Sequence, residues 1–139
     1  MTAQNWWGAE LLDRGAPDAV FARAAREVTF DEVRGEIGRL AQTLSSHGIR
    51  AGDTVALQGT PSFTQLWSIF ALWSLGVQVL LVEPGLRQPQ RARLLEMCAP
   101  QFLVSFGGLY RQIDKFIDQC EVLVRQMPGG QPAHSSHCR

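Results

Sequence analysis

The side chains best suited to metal binding stand near the end of this sequence, where His134, His137 and Cys138 lie within five residues. Imidazole and thiolate groups are ligands that zinc prefers. A structural zinc site needs four ligands, however, and no second cluster of such residues accompanies these three. We therefore interpret them as part of a flexible tail and predict no metal ligands in this chain.

Two pairs of carboxylates have a spacing that acid–base chemistry could use. Asp114 and Asp118 are four residues apart in a predicted helix, and Asp31 and Glu32 are adjacent. Catalysis by such a pair requires that the carboxyl groups converge in a cleft and that burial shifts at least one pKa. Carboxylates on exposed helix faces are solvated instead, and no Ser/His/Asp arrangement is evident. The sequence therefore predicts no catalytic residues within these 139 positions.

A Gly-containing loop offers a further candidate site. Residues 105–108, Ser-Phe-Gly-Gly, follow a predicted strand and precede a predicted helix. Backbone N–H groups can cradle a phosphate at such a position. The loop lacks both the G-x-G-x-x-G and the G-x-x-x-x-G-K-[ST] spacing. It is either a simple turn or an anion-binding loop built on Gly107 and Gly108, and we assign no cofactor-binding residue to it.

Composition limits the class of protein. The 139 residues are 45% hydrophobic, which suits one domain with an ordinary core. Thirteen basic residues balance thirteen acidic ones, and no basic run carries interleaved aromatic residues, so a nucleic-acid partner is not expected. Three irregularly spaced cysteines (Cys98, Cys120 and Cys138) and an N-terminus without a signal-peptide pattern indicate a cytoplasmic protein.

One segment has the length of a membrane span, because residues 63–82 carry no charge. Polar residues interrupt it, and its pattern changes at Gly76 from helical to β-branched. Two buried elements joined by a turn explain this pattern better than a span in a membrane. We expect no membrane partner.

Local signals place the elements that would position any site. Thr29 followed by Glu32 forms a capping box and opens the clearest helix, which ends at Gly48 and turns Arg34, Glu36 and Arg39 outward. The other expected helices cover residues 4–14, 61–75, 88–98 and 109–120. In the helix at 61–75, Thr60 is the expected cap and Pro61 stands in the first turn. Expected strands cover residues 19–21, 27–28, 54–57, 79–82 and 102–105, with an edge strand at 122–124.

This alternation predicts an α/β fold in which a largely parallel sheet is flanked by helices on both faces. The apolar stretches 55–57, 79–82 and 102–104 are typical of a sheet that is covered on both sides. A chain this short has few helices to cover them. We therefore expect an exposed apolar face and a homodimer through it.

Three segments carry a resemblance to a known family. Residues 28–33, Val-Thr-Phe-Asp-Glu-Val, resemble the Leu-Thr-Tyr-x-Glu-Leu motif of the AMP-forming adenylating enzymes, which include acyl-CoA synthetases and nonribosomal peptide adenylation domains. Residues 48–55, Gly-Ile-Arg-Ala-Gly-Asp-Thr-Val, are similar to the family's Gly-Val-x-x-Gly-Asp-x-Val turn and strand. Residues 73–84 match the motif Leu-Lys-Ala-Gly-x-Ala-Tyr-Val-Pro-Leu-Asp-Pro without a gap.

The third segment keeps Gly76 and Pro84 in register but departs from the motif elsewhere. The departures include Ser74 for Lys, Leu75 for Ala, Leu81 for Pro and Glu83 for Asp. These are packing and turn positions, so they point to a divergent member of the family, for example a loading domain of a polyketide or peptide assembly line.

The resemblance implies the N-terminal subdomain of the acyl-adenylate-forming fold over residues 1–126, with a flexible tail at 127–139. It also implies a parent enzyme that uses ATP and Mg²⁺ to activate a carboxylic acid for transfer to a thiol. The family's phosphate loop, acid pocket and catalytic lysine would come later in the chain. We therefore expect this chain to be catalytically incomplete and to pack against the remainder of its enzyme. The alternative is a complete, non-enzymatic α/β binding module that uses the Gly107–Gly108 loop.

Overall fold

A computed structural model describes residues 6–23, 26–59, 62–107 and 121–127. Its elements are, in chain order, α1 (Trp7–Asp13), β1 (Val20–Arg23), β2 (Glu27–Thr29), α2 (Phe30–Ser46), β3 (Thr54–Gln58), α3 (Phe63–Ser74), β4 (Gln78–Val82), α4 (Gln90–Cys98), β5 (Phe102–Gly107) and β6 (Glu121–Gln126). The predicted helix at 109–120 and the tail at 128–139 lie outside the described residues, as do the first two residues of the helix predicted at 4–14.

The predicted capping box at the start of α2 is confirmed. The Thr29 hydroxyl accepts a hydrogen bond from the Glu32 backbone N–H at 3.2 Å, and the Glu32 carboxylate accepts one from the Thr29 N–H at 3.3 Å. Antiparallel pairing of β1 with β2 delivers the chain to this helix start. At the other end Gly48 has a φ of +96°, the left-handed conformation that glycine adopts without strain.

Glu36 departs from the prediction for α2. It was expected to face outward, but its side chain is buried and forms an ion pair with Arg39 one turn later. The long arginine side chain covers the carboxylate and supplies the partner that a buried charge requires. The buried side of α2 is therefore wider than the stripe that its apolar residues predict.

Four strands form the main sheet in the order β4-β3-β5-β6. β3 pairs parallel with both β4 and β5, and β6 pairs antiparallel with β5. Helix α3 links β3 to β4, and α4 links β4 to β5. Apolar clusters lie on both faces of the sheet, so the predicted α/β class, largely parallel with helices on both faces, is confirmed.

Most of the core lies on one face, called here the α2/α3 face, which carries Val55, Leu57, Phe102 and Val104. Trp67 of α3 is only 1% exposed, and its ring stacks on Phe63 with 5.5 Å between the ring centroids. Helix α3 therefore buries a large aromatic side chain within this core.

The predicted start of α3 is corrected by two residues. The helix begins at Phe63, and the Ser62 hydroxyl caps it by accepting a hydrogen bond from the Gln65 N–H at 3.1 Å. Thr60 and Pro61, the residues expected to open the helix, lie outside the described residues. Serine is as good a cap as threonine, so the local sequence offers two caps within three positions and does not choose between them.

The opposite side, called here the α4 face, carries a smaller cluster of Ala56, Val82 and Leu103. Leu94 and Leu95 of α4 pack against this cluster, yet both are only half-buried. β4 also differs from the expectation of a strand covered on both sides. It lies at the edge of the sheet, and Leu81 is 55% exposed. An uninterrupted apolar run fits a central strand, but sheet order is set by long-range pairing.

Gly76 joins the turns before β3 and β4. Its carbonyl oxygen accepts a hydrogen bond from the Gly52 N–H at 3.0 Å, and its φ is +79°. A Cβ at this position would lie 3.2 Å from the Cβ of Ala51. Both the backbone conformation and the close approach of the two turns therefore require glycine here.

Candidate functional site

The strand order singles out one place for a ligand. The chain leaves β3 toward β4 on one side and leaves β5 toward β6 on the other, so connections diverge between the neighbouring strands β3 and β5. Ligands of open α/β sheets bind outside the carboxyl ends of the strands at such a switch point. Gln58 of β3 and Ser105 of β5 are register partners, and they lie toward the carboxyl ends of these two strands.

Arg91, in the first turn of α4, reaches the carboxyl end of β3. Its guanidinium donates a hydrogen bond to the side-chain oxygen of Gln58, and its Nε is buried without a hydrogen-bond partner in the described part of the chain. A guanidinium fixed in this way can orient an anionic group. Sequence reasoning missed both residues. The available signals were the polar Gln58 at the end of an apolar strand and the group Arg87, Arg91 and Arg93 around the start of α4.

The Gly-containing loop begins at the carboxyl end of β5. Ser105, Phe106 and Gly107, three of the four residues of the predicted loop, belong to the end of β5. Gly108 lies outside the described residues, and no backbone cradle can be built from Gly107 alone. The prediction that this loop is a simple turn or an anion site stays a prediction.

The predicted carboxylate pairs have different outcomes. Asp31 is exposed in the first turn of α2, whereas Glu32 completes the capping box and forms an ion pair with Arg26 at 2.7 Å. The hydrogen bond from the Arg26 guanidinium lowers the pKa of the Glu32 carboxyl below its ordinary value. A carboxylate held in its ionised form at a helix start stabilises that helix and does not act as a general acid. Asp114 and Asp118 lie outside the described residues.

The histidine within the described ranges has a structural position. His47 is the C-cap residue of α2, and its Nδ1 lies 2.9 Å from the Thr43 carbonyl oxygen. His134, His137 and Cys138 lie outside the described residues. Within the described ranges no three His, Cys, Asp or Glu side chains are placed to hold a metal ion together.

A groove lies on another part of the surface, and none of the switch-point residues lines it. This groove of about 830 Å³ runs between α1 and α2 and reaches the C-terminal end of α3. Its lining is mixed, with Trp6, Leu12 and Ile37 beside Arg34 and Ser74. Arg34 is already engaged there, since its guanidinium donates to the Leu12 carbonyl oxygen at 2.6 Å and so secures the end of α1. The groove therefore follows the contact between helices, and its arginine is used to hold them together.

This fold recurs in solved adenylating enzymes. The O-succinylbenzoate coenzyme A synthetase of Bacillus subtilis in complex with AMP superposes with a TM-score of 0.65 at 22% identity, over 80% of this chain and 29% of that one. The N-terminal subdomain of NpsA from Klebsiella oxytoca gives a TM-score of 0.64 at 20% identity, over 82% of this chain and 33% of that one. The architecture is that of the N-terminal subdomain of the acyl-adenylate-forming fold.

Sequence comparison identifies the family. The pattern of the AMP-binding enzymes matches residues 11–134, and the chain belongs to that family. The 2-succinylbenzoate–CoA ligase of Bacillus subtilis is 29% identical over 100 residues, which are 69% of this chain and 21% of the ligase. The indoleacetate–CoA ligase of Aromatoleum aromaticum is 30% identical over 93 residues, which are 67% of this chain and 18% of the ligase. The chain thus spans about a fifth of the length of these curated relatives.

The structure also bears on the uncharged segment at 63–82. No helix within the described ranges is long and apolar enough to cross a membrane. The segment divides into α3 and β4 at the turn that contains Gly76, as its pattern predicts.

Proposed function

We propose that this chain is the N-terminal subdomain of an ATP-dependent, AMP-forming ligase that joins a carboxylic acid to a thiol. The observation that carries the proposal is the family match over residues 11–134, together with two curated relatives that are both CoA ligases. The thiol is that of coenzyme A or of a carrier protein in an assembly line.

The reaction proceeds in two steps, adenylation of the acid and transfer of the acyl group to the thiol. The acid's carboxylate oxygen attacks the α-phosphorus of ATP, the bond to the β-phosphate oxygen breaks, and pyrophosphate leaves. The thiol sulfur then attacks the acyl carbon, AMP leaves with the bonding electron pair of the acyl–oxygen bond, and the thiol proton passes to solvent. Both steps need groups that stabilise phosphoryl and carbonyl oxygens as charge develops.

The described residues do not fit a complete Mg·ATP site. They bring one guanidinium, that of Arg91, to the switch point, and they include no set of three side chains able to hold a metal ion. We therefore assign ATP and Mg²⁺ to the remainder of the enzyme, and we assign no catalytic, cofactor-binding or metal-binding residue to this chain. Its role is to support that remainder, which is its principal partner. We place the enzyme in the cytoplasm, which the irregular cysteine spacing supports.

Calorimetric titration of the isolated chain with Mg·ATP tests this assignment, with full-length 2-succinylbenzoate–CoA ligase as the positive control. We expect no saturable heat and no acid-dependent ATP–pyrophosphate exchange from the isolated chain. Cooperative thermal unfolding of the same sample establishes that the protein is folded. A saturable site of low-micromolar Kd would contradict the proposal and favour a self-contained binding module that uses the Gly107–Gly108 loop.

The natural reading frame provides a positive test. If it continues past Arg139, the longer protein should contain a Ser/Thr-Gly-rich phosphate loop and should catalyse acid-dependent ATP–pyrophosphate exchange. A longer protein without exchange activity toward any of a panel of aromatic and aliphatic acids would count against the ligase assignment.

A further inference from the structure

Strand β4 has an unusual edge for a soluble protein. Its sequence, Gln-Val-Leu-Leu-Val, contains no charge and no proline, and β3 is its one neighbour among the described strands. Edge strands normally carry a charge, a proline or a bulge that prevents pairing with another chain. The pairing of β4 with β3 runs through all five residues without a shift in register. The outer side of β4 is therefore regular and has no charge, proline or bulge to prevent pairing with another strand.

The backbone groups on this outer side can be assigned. The Gln78 N–H donates to the Asp53 carbonyl oxygen at 2.9 Å, so Gln78 directs its backbone groups toward β3. Because these groups alternate along a strand, Leu80 and Val82 also face β3, whereas Val79 and Leu81 direct theirs outward. Two N–H donors and two carbonyl acceptors thus face away from the sheet.

The side chains agree with this assignment. Val79 packs against the core cluster of the α2/α3 face. Leu81 lies on the same face two residues on, and it is 55% exposed. The family motif that residues 73–84 resemble has proline at this position, and a proline there would remove one of the two outward donors. Leu81 restores that donor and adds an apolar side chain beside it.

We propose that β4 pairs antiparallel with β4 of a second copy of this chain, about a two-fold axis at Leu80. In this register Val79 stands opposite the partner's Leu81, and Leu81 stands opposite the partner's Val79. Each of these is a pair that exchanges two backbone hydrogen bonds, because all four residues direct their N–H and C=O groups outward. The two sheets then become one continuous sheet.

The second copy is favoured because the strand complements itself. The outward residues flank Leu80 symmetrically, as an isologous two-fold contact requires. No charged side chain of β4 would meet its own copy, since the strand has none. The exposed Leu81 would be covered by the partner's Val79, a cross-strand apolar pair of the kind that stabilises sheets. This inference does not depend on the proposed function.

Light scattering after size-exclusion chromatography, over a concentration series, tests the pairing with two variants at one position. Leu81→Pro removes an outward N–H without removing a bond to β3, so we expect a monomer. Leu81→Val keeps the N–H and an apolar side chain, so we expect a dimer like that of the unmodified chain. Thermal unfolding of each variant reports whether it is folded. A monomeric unmodified chain at millimolar concentration, or a dimer that a folded Leu81→Pro variant retains, would overturn the proposal.

Cross-linking identifies the register. Two Leu80 residues across the axis form a non-hydrogen-bonded pair, whose Cα atoms lie about 4.5 Å apart, within the range that a disulfide spans. In a background with Cys98, Cys120 and Cys138 replaced by serine, Leu80→Cys should therefore oxidise to a covalent dimer. Leu123→Cys on β6, at the opposite edge and 48% exposed, is the matched control and should remain monomeric. Equal cross-linking of the two variants, or none at Leu80→Cys in folded protein, would exclude this register.

Discussion

The two faces of the sheet differ in how completely this chain covers them. On the α2/α3 face, two helices bury large side chains, including Trp67 and Phe70, against β3 and β5. On the α4 face one short helix contributes no fully buried residue, and the buried cluster consists of three small or medium side chains. The same strands present apolar side chains to both faces. The difference therefore arises from the helices, and it indicates that stability is concentrated on one side of the sheet.

The two faces also differ in their capacity to bind a further segment. A face that is already packed can act as a rigid support, whereas a thinly covered face has apolar area that another segment can still bury. The switch point at Gln58 and Arg91 lies at one end of the α4 face, because Gln58 shares its strand side with Ala56. The side of the sheet with the weaker core is therefore also the side with the candidate anion-binding group.

The largest expected effect comes from truncating a core side chain on the well-packed α2/α3 face. Phe70 is 6% exposed and contacts Trp6 and Trp73, with 5.9 Å between ring centroids in both pairs. Phe70→Ala should lower the free energy of unfolding by about 3–5 kcal/mol, because it removes apolar contacts and leaves a cavity. Chemical denaturation measures the change. Leu66→Ala on the exposed side of the same helix is the control, and a loss for Phe70→Ala no larger than the control's would show that this face is not the stable one.

A smaller loss is expected on the α4 face. Leu95 is half-buried against the cluster of Ala56, Val82 and Leu103. Leu95→Ala should cost about 1–2 kcal/mol, since part of the side chain is already in water. The control is Met97→Ala, because Met97 is 64% exposed on the same helix. A loss as large as that of Phe70→Ala would mean that the two faces contribute equally, which would contradict the comparison.

The smallest effect is a gain at the end of α4. Ala99 has a φ of 44° and a ψ of 56°, the left-handed conformation that is strained for any residue with a Cβ. Ala99→Gly should raise the free energy of unfolding by about 0.5–1 kcal/mol, because relief of this strain exceeds the added entropy of glycine in the unfolded chain. Ala92→Gly, within the regular part of α4, should instead be destabilising by about 1 kcal/mol. Thermal unfolding of both variants distinguishes them, and losses in both would indicate that Ala99 is not strained.

Much of the fold could be predicted from the sequence because its signals are local. The capping box at Thr29, the left-handed end at Gly48 and the change of pattern at Gly76 each depend on residues within one or two turns. The hairpin and the parallel strands followed from these signals and from spacing. Membership of the AMP-binding family was likewise predicted from three short motifs and is confirmed by the match over residues 11–134.

Only the tertiary structure decided the features that depend on distant residues. An apolar run such as β4 is the same whether the strand is central or at an edge, and pairing with β3 and the position of β5 made it an edge. Glu36 is buried although its helical position predicts an outward side chain, because burial depends on what packs against α2 and not on its spacing. Arg91 meets Gln58 across 33 positions of sequence. Local propensity therefore determined which elements form, whereas long-range pairing and packing determined which surfaces remain for a partner or a ligand.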